Sequence, residues 1–228
     1  MAAAPQSDPP LAGNRSWSQL PHVVKQHPVM TLVSILGTIA TFIVGSVRVV
    51  DLVKGGEGDL RGAPSYEYIE ISDNSGQISV QVPSVWADTP GNGWHTRGIR
   101  GVPDGTRVGP GLNAAPNVEA WKDDLETPGV FIGASRKLLE SQSPTTLIRR
   151  TPPAGCLSTE STTYASPAFT GEVVTFRCEE AKVEWRRLAA TPTATRDYLM
   201  YLEAKLVTTA DVEAYNKILN TFEVDFGP

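Results

Sequence analysis

Soft metal ligands are scarce in this chain: 228 residues include two cysteines and three histidines, too few for a structural zinc site, which takes four such ligands at close spacing. An excess of positive charge is missing too. Lys and Arg number 20 against 25 Asp and Glu, a net charge of -5, so there is no global electrostatic footprint for nucleic acid, and no nucleic-acid partner is expected. Several chemistry-bearing patterns are also missing. Gly109-Pro110-Gly111 lacks the lysine and Ser/Thr of a P-loop and reads as a turn or bend; no dinucleotide fingerprint, GxSxG elbow or DxDxDG calcium loop occurs. No motif therefore calls for a cofactor, a metal or a catalytic group. No internal repeat is found, and what remains is 40 % hydrophobic, enough for a single packed core.

The longest apolar run is Val29 to Val47 (VMTLVSILGTIATFIVGSV), 19 residues without a charge. As a helix it would reach roughly 28 Å, close to the hydrocarbon thickness of a bilayer. Val49 and Val50 extend it if Arg48 snorkels to the headgroups, which predicts a span over 29–50. A buried core helix would carry a polar stripe, and Ser34, Thr38 and Thr41 make only a weak one. A cleaved signal peptide would have a shorter apolar region and an AxA-like site, whereas GSVRVV follows here. The reading is an uncleaved single-pass anchor in the lipid bilayer. Gly37, Thr41 and Gly45 share one face of it and would admit a second helix, as in a homo-oligomer, although small residues are ordinary in such helices.

Around the anchor, residues 1–28 carry five prolines among small and polar residues and read as a disordered cytoplasmic tail. Residues 51–64 are glycine-rich and charged, a flexible tether, and a folded α/β domain is expected over 65–228. Orientation is not settled by basic residues: Arg15 and Lys25 precede the span, while Arg48, Lys54 and Arg61 follow it. Cys156 and Cys178 both lie in the domain, and an even pair beside an anchor suggests one disulfide in an oxidising space, worth roughly 3 kcal/mol by loop closure. Two buried free thiols are the alternative.

Strand signals dominate the domain. Ile78, Val80 and Val82 alternate with Gln77, Ser79 and Gln81 behind the turn residues Asp73 to Gly76, which predicts a hairpin with Tyr66 to Ser72 as its first arm. Further strands are expected at Gly129 to Ser135, Gly171 to Cys178, Val183 to Ala190 and Tyr198 to Val207. Their direct succession favours antiparallel pairing. Helices should follow Asn117, with Val118, Trp121 and Leu125 on one face, and Ser143-Pro144. A third should follow Thr208, whose partner Asp211 completes a capping pair ahead of Val212, Tyr215, Leu219 and Phe222.

This order, with Val82-Pro83 and Trp86 after the second strand, Thr127-Pro128-Gly129-Val130-Phe131, Cys156 with Cys178, and Asn220-Thr221-Phe222, resembles the PsbP-like α/β/α sandwich, especially in membrane-anchored or secreted actinobacterial proteins. The resemblance covers roughly Tyr66 to Phe226. It implies a mainly antiparallel sheet packed with helices, preceded by one transmembrane helix, and an extracytoplasmic cysteine-bearing domain on a cell membrane. Members of the fold include extrinsic photosystem subunits and a binder of a small nuclear GTPase, and no motif here transfers either role.

Candidate chemistry is sparse. His95, in GNGWHTRG, lacks a recognisable nucleophile setting and reads as a surface loop residue; Ser135 reads as a strand end. Asp123, Asp124 and Glu126 read as a solvated face. Trp185 and Arg187 fall on one side of a strand and Arg186 on the other; Arg149-Arg150 ends the helix after Ser143. If these basic residues converged they would suit an anionic glycan, a lipid headgroup or a partner protein. The expectation is a binding, sensing or assembly domain that works by contacts. The rivals are a structural subunit held through its span and a secreted-side hydrolase built on His95 or acidic side chains.

Overall fold

Direct succession of strands produces the central sheet. The structure, a computed structural model, describes residues 60–227. The predicted tail, the span with Gly37, Thr41 and Gly45, and most of the tether lie outside the described residues. Among the described residues no helix is long and apolar enough to cross a membrane.

The chain runs β1 (Tyr68–Ser72), β2 (Ile78–Pro83), β3 (Trp94–His95), β4 (Arg107–Gly109), β5 (Gly111–Ala114), α1 (Val118–Asp123) and β6 (Gly129–Ser135). It continues with α2 (Arg136–Leu139), α3 (Pro144–Ile148), β7 (Leu157–Ala165), β8 (Phe169–Cys178), β9 (Val183–Pro192), β10 (Leu199–Leu206), α4 (Thr209–Thr221) and β11 (Glu223–Val224). A six-stranded antiparallel sheet has the order β5-β6-β10-β9-β8-β7, so the last four strands form a meander. A smaller sheet, β1-β2-β11, is also antiparallel. The fold is thus mainly antiparallel sheet with a few helices.

Both faces of the large sheet are covered. On one, Leu188, Ala190, Met200, Leu202 and Leu206 meet Ile78, Val80 and Val82 of the small sheet and Ala214, Tyr215 and Ile218 of α4. That helix starts as predicted: Thr208 and Asp211 form a reciprocal capping box, and Asp211 Oδ1 accepts from the Tyr66 hydroxyl at 2.8 Å. The opposite face packs Phe176, Ala189, Leu199 and Tyr201 against Leu138 of α2, Leu147 and Ile148 of α3 and Trp94. Chain engagement begins early. Leu60 packs on the first core, and Thr209 N donates to Arg61 O, within the segment read as tether.

The glycine pair around Pro110 is set by close approach. A Cβ at Gly109 would sit 2.0 Å from Ala134 O, so only glycine lets this chain cross β6. Trp86, Trp94 and Trp121 are core residues.

Candidate functional site

Alternation on β9 decides which arginine goes where. Arg187 and Trp185 point to the α3 face, Arg186 to the α4 face. Ser143 caps α3 by accepting from Thr146 N, and Pro144 starts the helix; Leu147 and Ile148 bury its apolar side against the sheet. The helix stops after one turn, at Arg149, so the chain leaves with Arg149, Arg150 and Thr151 beside β9. The loop after β3 is pulled to the same place. Arg150 Nη2 donates to Arg97 O, and Gln142 Nε2 to Arg100 O at 3.0 Å. Within that loop Gly98, at φ +64, has its N–H bonded to Asp104 Oδ1 at 2.6 Å.

The result is a cleft of about 590 Å³ lined by Arg100, Arg149, Arg150 and Arg187, with Thr146, Thr151 and Gln142 among its polar groups and Ile99 and Leu147 as its apolar part. No Asp or Glu lines it. Three acids bond to lining residues from outside it: Glu203 to Arg187, Asp104 to Gly98 N, and Glu172, which accepts from the Thr145 hydroxyl. Four positively charged residues around one cleft favour an anion in it.

Arg187 is the one arginine of the four that is buried, at 7 % exposure. Its Nε donates to Glu203 Oε1 at 2.8 Å, and its Nη1 to Thr151 O at 2.9 Å and Arg150 O at 3.4 Å. Its guanidinium lies 5.1 Å from the centre of the Phe176 ring. Glu203 is itself held: Trp185 Nε1 donates to Oε1 at 2.9 Å and the Tyr201 hydroxyl to Oε2 at 3.0 Å. Burial drives the Tyr201 phenol well above its ordinary pKa, which keeps its proton in place as a donor. This chain of contacts fixes the orientation of Arg187.

Beyond the cleft, Lys205 is fully buried on the same face of β10. Its Nζ donates to Trp121 O and Asp124 O, capping the carboxyl end of α1. Desolvation lowers its pKa to about 8, against the opposing pull of Asp124, Glu203 and Asp123.

The structure thus gathers Arg187 with Arg149 and Arg150, and leaves Trp185 outside the lining, behind Glu203. Arg100 was not singled out by sequence; it arrives on a loop without periodicity. Cys156 and Cys178 form a disulfide that ties the segment after Thr151 to the end of β8. His95 is exposed on a two-residue strand, and among the described residues it has no hydrogen bond to a serine or carboxylate. Ser135 is buried, capping α2 through Leu138 N and donating to Val108 O. Asp124 accepts from Glu126 N, Thr127 N and the Thr127 hydroxyl, which closes a turn and outweighs desolvation to lower its pKa. Among the described residues no group of acidic, histidine or cysteine side chains is placed to hold a metal.

In comparison with known proteins, the chain matches no family model and no curated protein.

Proposed function

We propose that this chain is a single-pass membrane protein presenting a PsbP-like domain outside the cytoplasm, and that the domain works by binding an anionic ligand in the arginine-lined cleft. The observation that carries the reading is the convergence of four arginines on one cleft with no acidic residue in its lining. The uncharged run Val29 to Val47 supports the anchor, and the disulfide supports an oxidising compartment for the domain. The antiparallel sheet covered on both faces is in keeping with the PsbP-like assignment.

Two measurements test it. With the full chain in a neutral detergent, sulfate or phosphate should raise the melting temperature above that in chloride of equal ionic strength. The Arg100→Gln/Arg149→Gln double variant should lose that rise. A wild-type protein indifferent to every polyvalent anion would refute the binding role. For topology, a membrane-impermeant maleimide applied to intact cells should label the Val85→Cys variant, since Val85 is exposed while Cys156 and Cys178 are buried and bonded to each other. Labelling only from the cytoplasmic side would overturn the placement.

A further inference from the structure

Arg187 has five N–H donors, and three are spoken for: Nε by Glu203, both Nη1 hydrogens by Thr151 O and Arg150 O. Among the described residues no acceptor is assigned to Nη2, and Arg187 lines the cleft while itself 93 % buried, the complement of its 7 % exposure. This pattern has a chemical consequence. A guanidinium grips a carboxylate by two parallel N–H bonds, from Nε and Nη2 or from Nη1 and Nη2. Here both forks are broken, because Nε and Nη1 face protein acceptors. Among the described residues the two hydrogens of Nη2 are the Arg187 donors left over, so it can give a ligand one nitrogen and no fork.

We infer that the cleft selects a doubly charged phosphoryl group, with one oxygen on Arg187 Nη2 and the others on Arg100, Arg149 and Arg150. This rests on the anion-binding reading above and narrows it. A tetrahedral oxyanion has three terminal oxygens pointing in different directions, so it can collect single donors from several arginines. A planar carboxylate has two oxygens in one plane; forked by one of the other arginines, it has no third oxygen to offer Arg187 Nη2 from outside that plane. Charge points the same way. Three further arginines line the cleft with an arginine whose own charge is matched by Glu203, and a phosphate monoester carries about -1.5 to -2 at neutral pH. The phosphoryl group could belong to a free small molecule or to a phosphomonoester lipid headgroup.

The test is calorimetric titration of the full chain, in phosphatidylcholine nanodiscs, with inorganic pyrophosphate and with tricarballylate, a tricarboxylate of similar charge at neutral pH, at matched ionic strength. Pyrophosphate should bind at least tenfold more tightly. Arg187→Gln should reduce pyrophosphate affinity at least tenfold. Because that variant leaves Glu203 without its partner, the Arg187→Gln/Glu203→Gln double variant, with its melting curve, gives the same readout on a neutralised pair. The inference fails if tricarballylate binds as well as pyrophosphate, or if the folded double variant keeps wild-type pyrophosphate affinity. In either of those cases loss of binding in Arg100→Gln/Arg149→Gln would leave the broader anion-binding reading standing. Failure of every anion to bind would remove both. Repeating the titration in discs containing phosphatidic acid assigns the source: weaker apparent pyrophosphate binding there marks the headgroup as occupant, and an unchanged value marks a soluble phosphate, both within the inferred class.

Discussion

Arg186 and Arg187 are adjacent in sequence and equally buried, yet they serve opposite faces of one strand. Arg186 Nε meets Glu184 Oε1 at 2.5 Å, and its guanidinium lies 5.0 Å from the Tyr215 ring of α4. Here one carboxylate, one guanidinium and one ring are enclosed under a long helix, among Leu188, Ala190 and Met200. Arg187 also has its carboxylate and its ring, Glu203 and Phe176, but its cover is a one-turn helix and loops that leave a cleft. Burial of a charge therefore does not mark a site by itself. What separates the two is the company: three more arginines line a cleft with Arg187, while Arg186 is enclosed with Glu184 and Tyr215 under α4. The face under α4 holds the fold together, and the face under α3 presents charge.

If that division is right, breaking the two pairs should have different consequences. Glu184→Ala strands Arg186 under α4 and should cost about 3–5 kcal/mol in urea denaturation, with anion-induced stabilisation retained. A cost below about 1 kcal/mol would show that Arg186 escapes to water and that the two faces differ less than their packing implies. Removing the disulfide by Cys156→Ser/Cys178→Ser should cost about 3 kcal/mol by loop closure across its 22-residue separation. It should also weaken anion binding, because the freed segment carries the Thr151 and Arg150 carbonyls that orient Arg187; unchanged binding would show that α3 alone places them. Glu203→Gln keeps an acceptor for Trp185 and loses the charge, so about 1–3 kcal/mol is expected, with a measurable loss of anion affinity that Glu184→Ala does not share.

How far this division could be read beforehand depends on the kind of signal. The hairpin β1–β2, the strands β6, β8, β9 and β10 and the helix α4 were legible, because apolar period and capping chemistry both act over a few residues. Strand β7 was not: most of Leu157–Ala165 is Ser, Thr and Glu, since an edge strand paired only with β8 has little apolar surface to bury. Strands β3 to β5, two to four residues long, are too short to carry a period. The alternation in β10 was readable, but its meaning was not. Glu203 and Lys205 occupy the polar phase that would face solvent on a one-sided sheet, and they are turned inward because α1 and α3 cover that face. Convergence of Arg149, Arg150 and Arg187 could be posed as a question from the basic residues. Its answer lay in where a one-turn helix ends, and Arg100 came from a loop that local sequence does not place.

The last effect is a pH dependence, and it belongs to the covered end of the α3 face. Lys205 titrates at about 8 in the folded chain against 10.5 ordinarily, because desolvation disfavours its charge. Below pH 8 both states hold the proton, and the folded state carries the full desolvation penalty. Between these two values the unfolded chain binds more protons, so stability should climb with pH and this penalty should be gone above 10.5. Tyrosines oppose the climb at its upper end. Burial raises Tyr66 and Tyr198 to about 12, so above their ordinary 10.0 the unfolded chain loses protons that the folded chain keeps, and stability falls. Urea midpoints should therefore rise from pH 8 to a maximum near pH 10 and then decline. Lys205→Met should abolish the rise and keep the decline. It would also leave the Trp121 and Asp124 carbonyls without their donor, so its stability at pH 7 should fall only slightly, the lost cap offsetting the relieved desolvation. A variant that still gained stability between pH 8 and 10 would place the titrating group elsewhere. The polar phase of β10 would then be structural filler with no charge penalty beside the cleft.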